Sequence, residues 1–269
     1  FRDERLRIAV MRTIDRDGFI SAADNTDKFT AEGLPAEAYW DAALARGIWE
    51  GWWVDPRDEK AFGPNGKNYV ADLAEAKKLV EAAGHKTPLE FDMVYAQPGP
   101  SSFPQSFYTR ADIFLGQIEN SGVFKMNRKL IQYQTEWNTD RYRFSKGNFQ
   151  GATWGPDTAP ADPASAVFFA FNSAGGYYVG GDATLDDLTS KARQEFDDEK
   201  RKELVREVQK YHGGKFFSNK IGQGTRFALN WPVVRNISVY RNGTNWLCIT
   251  TPSGLKAWLD PEQPPVKRS

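Results

Sequence analysis

The sequence predicts an α/β fold in which helices flank a mixed, mostly parallel sheet. The main observation is that helix and strand patterns alternate between residues 72 and 171. Such alternation is typical of parallel sheets, because neighbouring parallel strands are usually joined through a helix. A second observation is that the pattern changes to short strands and turns after Lys220. We therefore expect an α/β body followed by a segment of different architecture.

The first 20 residues predict two helices. Apolar residues at four-residue spacing predict a helix over residues 3–14. Its apolar stripe consists of Leu6, Val10 and Ile14. Asp15 can cap a second short helix that continues to Ile20, because an aspartate side chain accepts hydrogen bonds from the first turn.

The next 50 residues are less regular. A helix is expected over residues 35–46, followed by a tryptophan-rich segment over 47–56. The three tryptophans of this segment either plug the core or form part of a binding wall, and both interpretations stay open: Trp49, Trp52 and Trp53. Residues 63–67 superficially resemble a phosphate-binding loop, but the glycine spacing is wrong and no Ser or Thr follows the lysine. No nucleotide site is predicted there.

The clearest helix signal of the sequence begins at Asp72. Asp72 is a good N-cap with Glu75 at the capping-box position, and Gly84 ends the helix. The predicted buried stripe is Leu73, Ala76, Val80 and Ala83. Three more elements are predicted in order: a strand over 89–95, a helix over 107–118 and a strand over 128–135.

The second half continues the alternation. Its predicted elements are a helix over 137–146, a strand over 148–154, and helices over 163–171, 185–196 and 198–211. Residues 175–181 are two tyrosines and a valine between glycine pairs, which form either a floppy loop or a flap that closes over a site. Short strands are expected over 227–231 and 233–240, and the tail over 261–269 is expected to fray.

The strongest candidate for a ligand site is the loop over residues 151–163. It is rich in small residues and proline, and it carries one large aromatic, Trp154, and a carboxylate, Asp157, three positions later. The loop follows a predicted strand, and ligands of parallel sheets bind at the carboxyl ends of strands. The alternative is a surface turn that contains a core tryptophan.

The composition excludes several function classes. The chain has 269 residues, of which 40% are hydrophobic and 26% charged, which is typical of a globular protein of one or two domains. Its 35 basic residues balance 35 acidic ones, so no excess positive charge favours nucleic acid. One cysteine and two distant histidines predict neither a disulfide nor a zinc site, and no metal or cofactor is expected. No apolar run is long enough for a membrane span.

Six short segments resemble motifs of one known family. Residues 3–17 are similar to its "vRxAixxAIDRd" helix, 72–84 to "dpxkAkkLLxeAG", 114–122 to "qLxxiGI", 147–149 to "gdfD", 185–188 to "vDxLi" and 197–204 to "DxekRxxlyxxaq". In this order they resemble the C-terminal half of the oligopeptide/dipeptide-binding family, the family 5 extracellular solute-binding proteins of ABC importers. The match covers most of the chain.

The resemblance implies a type II periplasmic-binding-protein-like lobe that binds without catalysis. Residues 1–225 would form the second lobe of a two-lobed receptor, and residues 226–269 would return to the first lobe. A peptide or other small solute would be trapped between the lobes and passed to the permease subunits of an ABC importer. Such a receptor is expected to be a periplasmic or extracellular monomer, with a lipid anchor as one option. The start at Phe1, without an initiator Met, suggests a fragment.

The same resemblance implies four ligand-facing residues. In peptide-binding members, the loop after "gdfD" carries a Trp and, three residues later, an Asp that pairs with the amino terminus of the ligand. Trp154 and Asp157 match these two positions, and Thr153 and Gly155 lie beside them. A carboxylate suits an ammonium group, and an indole face packs on extended backbone or on a sugar. Some peptide receptors have an Arg where this chain has Gly151, so capture of a ligand carboxylate is not expected there.

Other functions stay open from the sequence. The family also has members for sugars and metal chelates, so a carbohydrate-binding receptor is one alternative. A carbohydrate-active enzyme could use Asp157 and Asp162 as an acid/base pair, although nothing in the proline-rich loop would raise the pKa of either. A domain that contacts only a membrane partner is a third alternative.

Overall fold

The computed structural model describes residues 1–47, 49–97, 103, 105–155, 162–225, 231–236, 258–260 and 262–263. The α-helices are α1 (Glu4–Met11), α2 (Arg16–Asp24), α3 (Thr26–Ala31), α4 (Glu59–Phe62), α5 (Leu73–Ala82), α6 (Gln105–Asn120), α7 (Pro163–Phe171), α8 (Ala183–Gln194) and α9 (Asp198–His212). The strands are β1 (Ala38–Trp40), β2 (Leu89–Ala96), β3 (Phe124–Ile131), β4 (Ala152–Trp154), β5 (Gly222–Gly224), β6 (Val234–Arg235) and β7 (Trp258–Leu259). A 3₁₀ helix (Pro64–Tyr69) and a π-helical turn (Tyr133–Trp137) complete the set.

The main sheet is parallel and has the strand order β3-β2-β4. Leu89 of β2 lies opposite Phe124 of β3, and Tyr95 of β2 lies opposite Trp154 of β4. The carboxyl ends of all three strands therefore meet at one edge. Two small antiparallel pairs, β1 with β5 and β6 with β7, lie outside this sheet. The predicted α/β class with a mostly parallel sheet is confirmed.

Two hydrophobic clusters form the core, and the tryptophan-rich segment connects them. Trp49 and Trp52 pack in the cluster of α7, α8 and α9, whereas Trp53 packs against the cluster that contains α1, α2, α5, α6 and the sheet. The buried Gln209 side chain of α9 holds this segment: Oε1 accepts a hydrogen bond from the Val54 amide at 3.2 Å, and Nε2 donates to the Trp52 carbonyl at 2.9 Å. Of the two interpretations, the core plug describes this segment.

Most predicted helices are present near their expected positions. In α5, the Asp72 side chain accepts a hydrogen bond from the Glu75 amide at 2.9 Å, as the capping box requires. The predicted stripe is wrong at Leu73, which is 48% exposed like its neighbour Val70 at 49%, so the core contact of α5 begins one turn later. Asp15 caps α2, which extends four residues beyond the predicted end at Ile20.

Four local predictions are wrong, displaced or shortened. Residues 35–46 do not form a helix, because β1 pairs with β5 from a distant part of the chain. The helix expected over 137–146 is replaced by the π-helical turn and a series of turns. The strand expected over 128–135 lies four residues earlier, as β3, and the strand over 148–154 shortens to β4.

Residues 175–181 fold back on α7. The Tyr177 amide donates to the Phe169 carbonyl at 3.2 Å, and the Val179 amide donates to the Ala170 carbonyl at 2.9 Å. After residue 220, β5, β6 and β7 agree with the expected change to short strands. Most of 227–231, residues 237–240, Cys248 and most of the tail lie outside the described residues. No described helix has both the length and the apolarity needed to cross a bilayer.

Burial shifts the pKa values of two groups, Asp41 and His212, and the two shifts change the pH dependence of stability in opposite directions. Burial raises the pKa of Asp41 to about 6, against the effects of the Arg46 amide hydrogen bond and of nearby positive charges. Burial lowers the pKa of His212 to about 3, since positive charge is disfavoured away from water. Between about pH 4 and 6, the unfolded chain binds the His212 proton and the folded chain does not, so stability rises with pH. In the same range only the folded chain holds the Asp41 proton, so stability falls as pH rises.

We expect Asp41→Asn to uncover the contribution of His212. Asparagine keeps an oxygen that can accept from the Arg46 amide but does not titrate. The unfolding free energy of the variant should therefore rise with pH more steeply than that of the wild type, by up to about 1.4 kcal/mol per pH unit between about pH 4 and 6. Urea denaturation across this pH range measures the slope. Asp140→Asn, at an exposed carboxylate, should keep the wild-type slope, and an unchanged slope in Asp41→Asn would contradict the assignment.

Candidate functional site

Three of the four residues expected to face a ligand lie at the carboxyl edge of the parallel sheet. Thr153 and Trp154 end β4, and Gly155 follows; all three are half-buried. The fourth residue, Asp157, lies outside the described residues, so its role stays a prediction. The strand places Trp154 opposite Tyr95, near the end of the central strand.

Trp154 is a core contact that also borders the candidate site. Its ring centroid lies 5.3 Å from that of Phe114 and 6.0 Å from that of Phe107, both on α6. Its indole Nε1 is buried, and it has no hydrogen-bond partner among the described residues. The alternative of a core tryptophan therefore holds in part, because one side of the indole packs on α6 while the residue keeps some solvent exposure.

Aromatic side chains continue from Trp154 around the edge of the sheet. Successive ring centroids lie 4.5 Å apart for Phe107 and Phe103, 4.7 Å for Phe103 and Tyr133, and 5.4 Å for Tyr133 and Trp137. We call these five residues the aromatic circuit. The Tyr133 and Trp137 rings are stacked with an interplanar angle of 20°. Contacts of this kind contribute about 0.5–1.5 kcal/mol each beyond the area they bury.

Trp137 closes the circuit against Gly155. A Cβ atom at position 155 would lie 1.7 Å from Cζ2 of Trp137, so only glycine permits this contact. Trp137 is 5% exposed, and its Nε1 is buried with no hydrogen-bond partner in the described part of the chain. Sequence reasoning missed Tyr133 and Trp137 as site residues. The available signal was their position directly after a strand of the parallel sheet, but the strand expected over 128–135 included Tyr133 and the helix expected over 137–146 began at Trp137.

Arg143 places a positive charge beside the circuit. Its Nη1 donates to the Tyr133 hydroxyl at 2.9 Å and to Asn138 Oδ1 at 2.8 Å.

Gly151 lies where β4 approaches β2. Its φ is +87°, and a Cβ atom would lie 2.1 Å from the Asp92 carbonyl oxygen. A side chain at 151 would therefore clash with β2, which leaves no room for an arginine at this position.

Asp162 has a structural role at the start of α7. Its Oδ2 accepts a hydrogen bond from the Ser165 amide at 2.7 Å, and its Oδ1 pairs with Arg201 Nη2 at 2.6 Å. Both oxygens are thus engaged, which does not favour a role as a free acid or base. Among the described residues, no group of three or more His, Cys, Asp or Glu side chains is placed to hold a metal ion.

Solved structures that are similar to this fold include the following three. The ABC transporter substrate-binding protein CtaP from Listeria monocytogenes matches with a TM-score of 0.55 and 20% identity, over 82% of this chain and 41% of that one. A peptide-binding protein of a peptide ABC transporter matches with a TM-score of 0.54 and 21% identity, over 80% and 88%. NikA from Staphylococcus aureus, in complex with Ni(L-His)2, matches with a TM-score of 0.57 and 14% identity, over 89% and 46%.

These matches show the fold. The chain has the fold of ABC transporter substrate-binding proteins over most of its length, which confirms the fold that the sequence resemblance implies. It spans less than half the length of CtaP and of NikA, and most of the length of the peptide-binding protein. No protein-family model and no curated protein matches the sequence.

We expect Gly155→Ala to displace Trp137 from the edge of the sheet. The added methyl group should destabilise the chain by about 1–3 kcal/mol and change the near-ultraviolet circular dichroism, because Trp137 must leave its stacked position. Gly116→Ala is the matched control, since its Cβ would meet no atom within 4 Å inside α6. It should stabilise the chain by up to about 1 kcal/mol. Similar spectra and stabilities for the two variants would contradict the proposed closure of the circuit.

Proposed function

We propose that this chain is one lobe of the solute-binding protein of an ABC importer and that it acts without catalysis. Residues 1–225 would form the second lobe of the receptor, and residues 226–269 would return to the first lobe in the full-length chain. The observation that carries the proposal is the aromatic circuit at the carboxyl edge of a parallel sheet, within a fold shared with ABC transporter substrate-binding proteins. That edge is where such sheets bind ligands.

The favoured solute is a peptide. Trp154 and Gly155 lie at the strand end, and Asp157 follows two residues later in the sequence; its carboxylate could pair with the ammonium group of a peptide. The matched peptide-binding protein supports this choice. A carbohydrate is the second candidate, because four of the five residues of the circuit are half-buried and keep some aromatic surface on which sugar rings could stack. The partners would be the permease subunits of an ABC importer, and the protein would act outside the membrane, free or lipid-anchored.

The proposal is tested by titrating the chain with trialanine and with maltotriose. Proton–nitrogen correlation spectra detect even the millimolar affinities expected of one lobe, which offers only part of the contacts of a closed cleft. We expect trialanine to shift the signals of Thr153, Trp154 and Gly155. Shifts with maltotriose alone would favour the carbohydrate receptor, and no shift at these residues with either probe would contradict the assignment of the site.

We expect Asp157→Asn to weaken trialanine binding about 10- to 150-fold. The change removes a charge-assisted hydrogen bond of about 1.5–3 kcal/mol while keeping the size of the side chain. Glu32→Gln removes an exposed carboxylate at the end of α3 and should leave the affinity unchanged. Equal dissociation constants for Asp157→Asn and the wild type would remove Asp157 from the site without excluding the aromatic circuit.

A further inference from the structure

The glycine-rich segment over residues 175–181 reaches the neighbourhood of the site through one side chain. A Cβ atom at Gly175 would lie 2.4 Å from the Phe169 carbonyl oxygen, and one at Gly176 would lie 2.6 Å from the Phe169 ring. Both glycines therefore allow the segment to lie directly on the end of α7. Together with the two backbone hydrogen bonds to α7, this close packing fixes the position of Tyr177.

Tyr177 is held between α7 and the segment that follows the π-helical turn. Its ring centroid lies 4.8 Å from that of Phe169 in an edge-to-face contact and 5.6 Å from that of Phe144. The Arg143 guanidinium lies 4.2 Å from the Tyr177 centroid, within the range of a cation–π interaction. The Tyr177 ring therefore contacts the same guanidinium group that binds Tyr133 and Asn138.

Arg143 connects Tyr177 to the stacked Tyr133–Trp137 pair. Its Nη1 binds the Tyr133 hydroxyl, and its backbone amide donates to the Trp137 carbonyl at 3.0 Å. The guanidinium also lies 5.6 Å from the Trp137 ring. Arg143 thus contacts both members of the stacked Tyr133–Trp137 pair. Because Trp137 also touches Gly155, the chain of contacts runs without a break from residues 175–181 to the end of β4.

We propose that Arg143 and Tyr177 are positioning residues that hold the stacked Tyr133–Trp137 pair in the geometry required to bind solute. This inference rests on the proposed function and deepens it. The segment over 175–181 acts as a fixed support for one wall of the site, and it can change solute affinity without touching solute. Within the pair that it holds, Trp137 is buried and Tyr133 is half-buried, so Tyr133 is the member that can contact apolar side chains of a peptide or the ring of a sugar.

The test compares Tyr177→Leu with Tyr177→Phe. Phenylalanine keeps the π face for Arg143, and the Tyr177 hydroxyl makes no hydrogen bond among the described residues, whereas leucine removes the π face. We expect Tyr177→Leu to lose the part of the near-ultraviolet circular dichroism that Trp137→Phe also loses, and Tyr177→Phe to retain it. Trialanine should bind Tyr177→Leu about 2- to 30-fold more weakly, as expected for loss of one cation–π contact.

Arg143→Lys provides a second, independent variant. Lysine keeps the positive charge but not the planar guanidinium, which lies 4.2 Å from the Tyr177 centroid while its Nη1 donates to Tyr133 and Asn138, so the same spectral loss is expected. Far-ultraviolet circular dichroism verifies that each variant is folded. Wild-type near-ultraviolet spectra for both Tyr177→Leu and Arg143→Lys would overturn the inference. The spectra need no solute, so failure of trialanine and maltotriose to bind the wild type would contradict the proposed function and leave the positioning role to be decided by the spectra.

Discussion

The parallel pairing of β2 with both β3 and β4 is the constraint on which the rest of the structure depends. Because the three strands run in the same direction, their carboxyl ends lie together, although residues 97, 132 and 155 are far apart in the sequence. The segments that leave these ends bring their aromatic side chains into one circuit. Reversing any one strand would send its following segment to the opposite edge of the sheet.

The aromatic circuit also depends on glycine at positions where a side chain would clash with a neighbouring residue. Gly151 allows β4 to approach the Asp92 carbonyl of β2, and Gly155 allows the Trp137 ring to lie on the strand end. Glycine-rich sequences are often interpreted as mobile, but Gly175 and Gly176 pack closely on α7. In each case glycine permits a contact that any Cβ atom would prevent, so the glycines hold this part of the molecule in place.

The sequence was informative wherever local signals agreed with the tertiary structure. The capping box at Asp72 and Glu75 marked α5, and the alternation of apolar residues marked β2, because these signals lie within each element. The predicted elements were wrong where a contact with a distant part of the chain overrides the local secondary-structure preference. Alanine-rich residues 35–46 favour a helix, yet β1 pairs with β5, and nothing within the segment reveals that partner.

The candidate site was predicted in part for the same reason. Trp154 was found because it ends a strand in a distinctive loop, and the resemblance to solute-binding proteins drew attention to it. Tyr133, Trp137 and Arg143 were not found, since the polar residues after position 137 resemble a helix surface in the sequence. Their importance arises from stacking and from contact with Gly155, which are properties of the assembled fold. For the tryptophan-rich segment the sequence left a core plug and a binding wall open, and its tryptophans pack in the two core clusters.

The pairing of β1 with β5 also bears on the order in which the chain can fold. It joins residues 38–40 to residues 222–224 and so closes a loop of about 180 residues. Closing that loop costs about 2 kcal/mol more chain entropy than closing one of about 20 residues. The α8–α9 hairpin and the β2–α6–β3 unit need only local contacts and can form early. We therefore expect the pairing of β1 with β5 to form late, after nearly all of the chain between the two strands has folded.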